Sequence, residues 1–523
     1  MNIVGNRNLR KLLEIKAQKS PEKVFLIFED NDGNIEEFTY KHVDEHVNKL
    51  ANGLLGLGIE KGDKVNIHLT NCPEFIFSWF SLSKIGAIMV PTNTLSTSHE
   101  MEYVLNHSDS KIVITEPDYL HVIKEVRSLC SGVKNIILCR ASKPHPDTLL
   151  LADIIKKNSP NLTEFNITPE DEAAILYTSG TTARPKGVVL THAYYIWVGE
   201  VSAKHERLSP DDRFFVVLPF FHGNAQFYCF MATLIVGASI VIMQRFSASR
   251  YLHQARHHKA TIASLFAAPM RMILRHPFVS VMGKSNLRLV LFAQNLTEEQ
   301  LKEFETRAGA PLLQLYGLTE MGLPLINPID GPVKNMSIGL PTLGTEVKLV
   351  DEKGKDVSVG ISGEIVIKGI PGINLMKEYF KNPEATAETI KDGWFHTGDN
   401  ARVDEDGYFY FVDRKKDMIK RSGENVPAAE VEYVVNQHPK VFESVAIGVP
   451  DETRDEAIKV FVVLKEGEKA TEGEIIEFCS KRLMKFKVPS FVEFRDSLPR
   501  TSVGKIQKFI LKKEVTGFQI EIT

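Results

Sequence analysis

Eleven consecutive residues, Tyr177-Thr178-Ser179-Gly180-Thr181-Thr182-Ala183-Arg184-Pro185-Lys186-Gly187, hold the densest chemistry in the chain: four aliphatic hydroxyls, two glycines and two cations. Glycine lets backbone N–H groups turn toward a ligand, hydroxyls donate, and Arg184 and Lys186 supply positive charge. That combination suits phosphate. The apolar runs on either side, Ala173–Tyr177 and Val188–Leu190, predict strand, loop, strand. A polar hairpin is the plainer reading, but the loop is long for a hairpin and lacks Asn-Gly or Asp-Gly. It is not a P-loop, because Lys186 is followed by Gly187 and Val188 rather than by Ser or Thr opening a helix.

Three further segments carry candidate groups. In Gln314-Leu315-Tyr316-Gly317-Leu318-Thr319-Glu320, an apolar strand ends in a hydroxyl and a carboxylate. Thr319 could bond a phosphate oxygen and Glu320 could hold a Mg²⁺ that bridges phosphates; solvent-facing residues at a strand end are the alternative. His396-Thr397-Gly398-Asp399 offers a carboxylate suited to two ribose hydroxyls, although Gly-Asp is commonly only a turn. Pro499–Ile506 reads as a flexible loop presenting Lys505, which taken alone is a surface lysine.

Elements must position these groups. Val43, Val47, Leu50, Leu54 and Leu57 mark one face of a helix that Gly58 ends, and Val65, Ile67 and Leu69 alternate as a strand. Pro73 opens a helix to about Lys84, and Ala87–Val90 is a buried strand. This rhythm predicts α/β sheets with helices on their faces. Near residue 400 the register changes. An aromatic strand at Gly407–Val412 leads into the charge cluster Asp413–Asp417. A compact α+β unit follows, with a helix about Val431, strands at Ser444–Val449, Ile458–Leu464 and Phe491–Phe494, and a helix capped at Thr471.

At 523 residues the chain needs two or more domains. Its net charge of −3 gives no electrostatic case for nucleic acid. Cys72, Cys130, Cys139, Cys229 and Cys479 are scattered without a C-x-x-C pair, so neither a metal framework nor a disulfide scaffold is expected, and a reducing cytoplasm fits. No signal peptide or membrane span is expected; Ala232–Met243, the longest apolar run, is short and broken by Gly237. A homo-oligomer stays open, because oligomeric state is not readable from the sequence.

Taken together and in order, these blocks closely resemble the acyl-adenylate-forming superfamily. The resemblance also takes in Lys84–Ala87, Leu218-Pro219-Phe220-Phe221-His222, Gly363–Ile365 leading to Tyr379, and Asp413–Gly423. It implies an α/β fold: a large N-terminal domain of several subdomains, residues 1–415, with α/β sheets and a β-barrel-like part, then a small mobile α+β domain, 416–523. It implies ATP, Mg²⁺ and coenzyme A as reactants, and an acyl-AMP passed to a thiol. By the same resemblance, Thr178, Ser179, Gly180, Thr181, Thr182 and Lys186 hold phosphates, and Tyr316 and Gly317 line the nucleotide site. Asp399 and Arg414 take the ribose. Thr319 and Glu320 serve the metal-bound phosphates, and Lys505 bridges carboxylate and α-phosphate. Lys416 is the hinge, Gly423 faces the thiol channel, and His222 gates it.

Two departures stand out. Ala183 replaces a customary glycine, and Leu291–Leu296 replaces a Gly-Gly-Ala segment, which predicts a smaller acyl pocket. Segments outside the shared motifs, among them Asn71–Phe77 and Met484–Ser490, resemble ligases of betaine-type acids (crotonobetaine, carnitine, γ-butyrobetaine). Their quaternary ammonium favours aromatic faces, for which Trp197, Tyr194, Phe220, Phe221, Phe227 and Tyr228 are candidates. A ligase for short, medium-chain or aromatic acids, or a stand-alone enzyme loading a carrier protein, stays open.

Overall fold

The computed structural model describes residues 3–178, 185–277, 285–414, 417–421, 424–451, 455–501 and 506–516. Four sheets organise them. The two largest have eight and nine strands, and helices cover their faces. Between the sheets runs the helix Pro73–Ile85, in which every residue but Glu74 is buried. A helix apolar on all sides has no solvent face to offer, and this one has none. Its one buried cation, Lys84, is matched by Asp44 at 2.5 Å, Glu14 at 3.3 Å and the Asn48 amide oxygen at 2.8 Å. Gly86 ends it at φ +73, a left-handed conformation that glycine alone adopts without cost.

The predicted elements are present. The helix about Val43–Leu57 spans Tyr40–Gly56, and the strand beside it spans Lys64–His68. Ala232–Met243 is not one element. A short helix, Ala232–Val236, turns at Gly237 (φ +79) into the buried strand Ser239–Met243. Among the described residues, no helix is long and apolar enough to cross a membrane.

The third sheet is antiparallel throughout, built from Glu346–Val350, Gly363–Lys368, Ile390–Lys391, Trp394–Val403 and Phe409–Arg414. The fourth takes all its strands from residues 419–494. It closes its own apolar core with the helices Ala428–Val435 and Glu472–Ser480 through Val431, Val435, Ile458, Val460, Val462 and Ile475. Thr471 caps the second helix by accepting from the Glu474 N–H at 3.2 Å.

Candidate active site

The nine-stranded sheet shows where a ligand belongs. Arg213–Val216 is flanked by Ser239–Met243 on one side and Ile262–Phe266 on the other, both parallel to it. The chain thus crosses over first in one direction and then in the other. Such a reversal opens a crevice beyond the carboxyl ends of the strands. Leu218–His222 follow the first of these strands, Phe266 ends the next, Ala293 ends Leu289–Ala293, and Thr319 and Glu320 follow Leu312–Leu318. Leu218, Phe266, Phe221 and Ala293 pack together there, with the His222 ring edge-on to Phe266 at 5.6 Å.

Thr319 and Glu320 sit in the turn of a hairpin between Leu312–Leu318 and Gly322–Ile326. The turn is braced from both sides. Tyr194 donates to the Thr319 carbonyl at 2.7 Å, Tyr228 to the Gly322 carbonyl at 2.8 Å, and the Met376 N–H to the Glu320 carbonyl at 2.7 Å. Gly317 is forced by packing. A Cβ there would lie 1.8 Å from the Tyr228 hydroxyl and 2.4 Å from the Gly322 carbonyl oxygen.

The eight-stranded sheet brings up the phosphate-loop candidate. Glu172–Thr178 and Lys186–Thr191 pair antiparallel with Thr178 opposite Lys186, the strand–loop–strand order read from the sequence. The short strand Glu378–Tyr379 adds to the outer edge of Lys186–Thr191. That addition sets the Lys186 ammonium 4.8 Å from the Tyr379 ring centre, while the Tyr379 hydroxyl donates to Glu320 at 3.0 Å. Burial raises the Glu320 carboxyl above its usual range, the Tyr379 hydrogen bond and the Lys186 charge pull it back, and Asp399 pushes it up. These four groups therefore share one field.

The third sheet supplies Asp399 and Arg414, cross-strand partners in the Trp394–Val403 and Phe409–Arg414 pair. The buried Asp399 carboxylate accepts from the Tyr316 hydroxyl at 2.7 Å and lies 3.4 Å from the Arg414 Nε. Burial, then the Asp399 charge, keeps the Tyr316 phenol far above its usual range, so it stays a neutral donor. Gly398 (φ +71) makes the bend that aims Asp399, and the Gly398 N–H is held by Glu364 at 3.0 Å.

The structure thus gathers Thr178, Lys186, Tyr316, Gly317, Thr319, Glu320, Asp399 and Arg414 from three sheets, and puts His222 on the crevice rim. Ser179, Gly180, Thr181, Thr182, Ala183, Arg184, Lys416, Gly423 and Lys505 lie outside the described residues. On either side of residues 502–505, Arg500 forms an antiparallel bridge with Ile506 and the Gln507 N–H donates to the Pro499 carbonyl at 2.8 Å.

The structure also places the Leu291–Leu296 segment and the candidate aromatics. Leu291 and Phe292 do not fill a pocket. They alternate into the cores on opposite faces of the sheet, and only Ala293 and Gln294 (φ +77) reach the strand tip half-buried. Of the six candidate aromatics, Tyr194, Phe220, Phe227 and Tyr228 are core side chains, and the Trp197 ring packs over Gly344. Phe221 is the one half-buried beside His222. Sequence reasoning names Tyr379 only as the end of the block that begins at Gly363 and gives it no role in the site. It lies 59 positions from Glu320, and no local pattern links them.

Residues 13–380 match the family described as AMP-binding enzyme, and residues 430–505 the AMP-binding enzyme C-terminal domain. The chain is 40% identical over 518 residues to the crotonobetaine/carnitine–CoA ligase of Salmonella agona (strain SL483), covering 98% of this chain and 100% of that one. It is 40% identical over 517 residues to the enzyme of that name in Citrobacter koseri (strain ATCC BAA-895 / CDC 4225-83 / SGSC4696), with the same coverage. Among solved structures, the anthranilate CoA ligase AuaEII in complex with anthranoyl-AMP superposes with a TM-score of 0.90 at 28% identity, covering 98% of each chain. A benzoate CoA ligase from Burkholderia xenovorans LB400 superposes with a TM-score of 0.87 at 26% identity, covering 97% of this chain and 100% of that one. Matches that take in both parts of the family and run nearly the length of the chain make this protein a member of the AMP-binding enzymes, and with them an AMP-forming acid–thiol ligase.

Proposed function

We propose that the acid is a betaine, one of crotonobetaine, carnitine or γ-butyrobetaine, activated as its acyl-AMP and then transferred to coenzyme A. The observation that carries this reading is the 40% identity across nearly the whole chain to ligases named for two of these acids. A carboxylate is a poor acyl donor because oxide is a poor leaving group, and esterification to AMP supplies a better one. Carboxylate and triphosphate are both anionic, so attack on the α-phosphorus needs positive charge arranged beforehand.

In this reading Lys186, with Thr178 and the loop 179–184, takes the β- and γ-phosphates, and Lys505 bridges the acid and the α-phosphate. Asp399 and Arg414 take the ribose, with Tyr316 and Gly317 under the nucleotide. The half-buried Glu320 carboxylate fits Mg²⁺, a cation held by one or two carboxylates together with substrate phosphates, and the metal would neutralise phosphate charge there. His222 and Phe221 stand between acid and thiol. Residues 1–415 and 416–523 act as two bodies hinged at Lys416, and rotation brings Gly423 to the thiol channel.

The test is release of AMP with carnitine, crotonobetaine, γ-butyrobetaine, hexanoate and benzoate, each with and without coenzyme A. CoA-dependent turnover highest on a betaine is expected; preference for hexanoate over every betaine overturns the substrate assignment. Turnover without coenzyme A dependence overturns the thioester step.

A further inference from the structure

The eight-stranded sheet has a switch point of its own, remote in sequence from every group used above. Lys64–His68 is flanked by Ile88–Pro91 on one side and Ser110–Thr115 on the other, all parallel, with Asn135–Leu138 beyond. At the carboxyl ends of these strands the chain delivers Cys72, which immediately precedes the helix Pro73–Ile85, then Glu74 in its first turn, and Cys139 directly after Asn135–Leu138. Both thiols are buried, and the Glu74 side chain is 19% exposed at the mouth. One ligand atom from each, two sulfurs and a carboxylate oxygen, lie within 4.8 Å of one another.

We propose that Cys72, Cys139 and Glu74 form a binding site for a thiophilic divalent cation, Zn²⁺ by ligand type, with water in the fourth position. Ligands about 2.3 Å from a tetrahedral ion stand roughly 3.8 Å apart, so the triad closes on the metal by side-chain adjustment alone. Two sulfurs select against Mg²⁺ and Ca²⁺, which take oxygen. On binding, each thiol gives its proton to solvent and each sulfur donates an electron pair; nothing is oxidised. Two thiolates, a carboxylate and a divalent ion sum to −1. Arg140, adjacent to Cys139 in a left-handed turn (φ 53), sets a positive charge against it, shared with Glu36: its guanidinium lies 3.3 Å from Glu74. Glu36 at 3.2 Å and the Phe28 ring at 4.8 Å hold that guanidinium in place. The start of the helix adds favourable dipole for the Cys72 thiolate. The neighbouring Glu116 is already committed to the Thr70 backbone N–H and hydroxyl, at 2.6 and 2.7 Å.

The site adjoins a structural tie. Asn71 donates to the Leu218 and Met243 carbonyls, each at 3.1 Å, and accepts from the Phe220 N–H at 2.9 Å. It thereby joins the eight-stranded sheet to the segment that ends at His222, so an ion one residue away should stiffen that junction.

The experiment titrates the reduced, chelator-treated full chain with Cd²⁺ as a spectroscopic stand-in, followed by Zn²⁺ competition. Expected are a thiolate-to-metal ultraviolet band saturating at one Cd²⁺ per chain, its loss on adding Zn²⁺, and a higher Tm with metal. Cys72→Ser and Cys139→Ser should each weaken binding more than about 100-fold, and Glu74→Gln, which leaves the buried thiols in place, about 10-fold. No band in the wild-type chain, or a band that survives both serine variants, overturns the proposal. So does a metal-independent mass loss of two hydrogens, because the pair is then a disulfide couple. Should the serine variants fail to fold, the wild-type titration and Glu74→Gln decide.

Discussion

In the proposed site Glu320 would have to be ionised to hold Mg²⁺, and yet its surroundings oppose ionisation. Burial raises its carboxyl, and the Tyr379 hydroxyl is the largest side-chain contribution pulling the other way. Tyr379→Phe deletes that donor, so the carboxyl should rise further. The acid limb of the pH profile for acyl-AMP formation should then move to higher pH, with the alkaline plateau little changed. Pyrophosphate exchange across pH measures this; an unmoved limb, or one moved to lower pH, would show that Glu320 is not the titrating group. Glu320→Gln should lose roughly 10²–10³ in adenylation at every pH. Phe221 gives a second test at this scale. If its half-buried ring meets the quaternary ammonium, Phe221→Ala should raise KM for betaines about 2- to 30-fold, the range of a cation–π contact of roughly 0.5–2 kcal/mol. The KM for hexanoate should move less. Equal changes for both acids would make Phe221 a wall of the pocket rather than a cation contact.

At the scale of elements, the hairpin Leu312–Leu318/Gly322–Ile326 turns a strand end into a positioned site, and its tolerances are narrow. Gly317→Ala puts a methyl 1.8 Å from the Tyr228 oxygen and 2.4 Å from the Gly322 carbonyl oxygen. The tyrosine can move; the backbone carbonyl cannot without unpairing the hairpin. Gly317→Ala should therefore abolish adenylation while leaving the far sheets folded. Adding Tyr228→Phe should not restore it, and rescue by the double substitution would place the obstruction at the phenol alone. The same hairpin shows what the sequence could disclose. The apolar run 312–318 and the Thr-Glu that follows were legible, because a strand end and its turn are local patterns. Likewise the two strands around the polar loop followed from the apolar runs on either side, although pairing extends one step further, to Thr178 and Lys186. What ties these pieces together was not legible. Tyr194, Tyr379 and Met376 meet the turn from 125, 59 and 56 residues away in the chain, through single hydrogen bonds that leave no periodicity. The aromatics stayed ambiguous for a related reason. Spacing in the sequence could not separate core rings such as Tyr194, Phe220, Phe227 and Tyr228 from the half-buried Phe221, and only burial does so.

Across the whole molecule, the proposed two-body cycle makes opposite demands on two lysines. Lys505→Ala should lose acyl-AMP formation yet keep most thioester formation from supplied acyl-AMP. Lys416→Pro, which fixes φ at the hinge, should do the reverse. Parallel assays of the two half-reactions read both, and equal loss in both half-reactions for either variant would sink that assignment. The structure adds a finer test, because it docks the fourth-sheet unit against the helix Ala267–Arg275. Arg275 lies 3.4 Å from Glu466 and 5.3 Å from the Phe442 ring centre. With the two side chains 49% and 87% exposed, that ion pair is worth no more than about 1 kcal/mol. It can bias a rotation but cannot lock one. With the Phe442 contact adding at most about 1 kcal/mol, Arg275→Ala should shift the ratio of the two half-reaction rates by at most about 30-fold, in one direction, and the shift should shrink with added salt as exposed charges are screened. A change of 100-fold, or one indifferent to salt, would mean that the contact is part of a rigid interface and that the two units do not exchange positions about it.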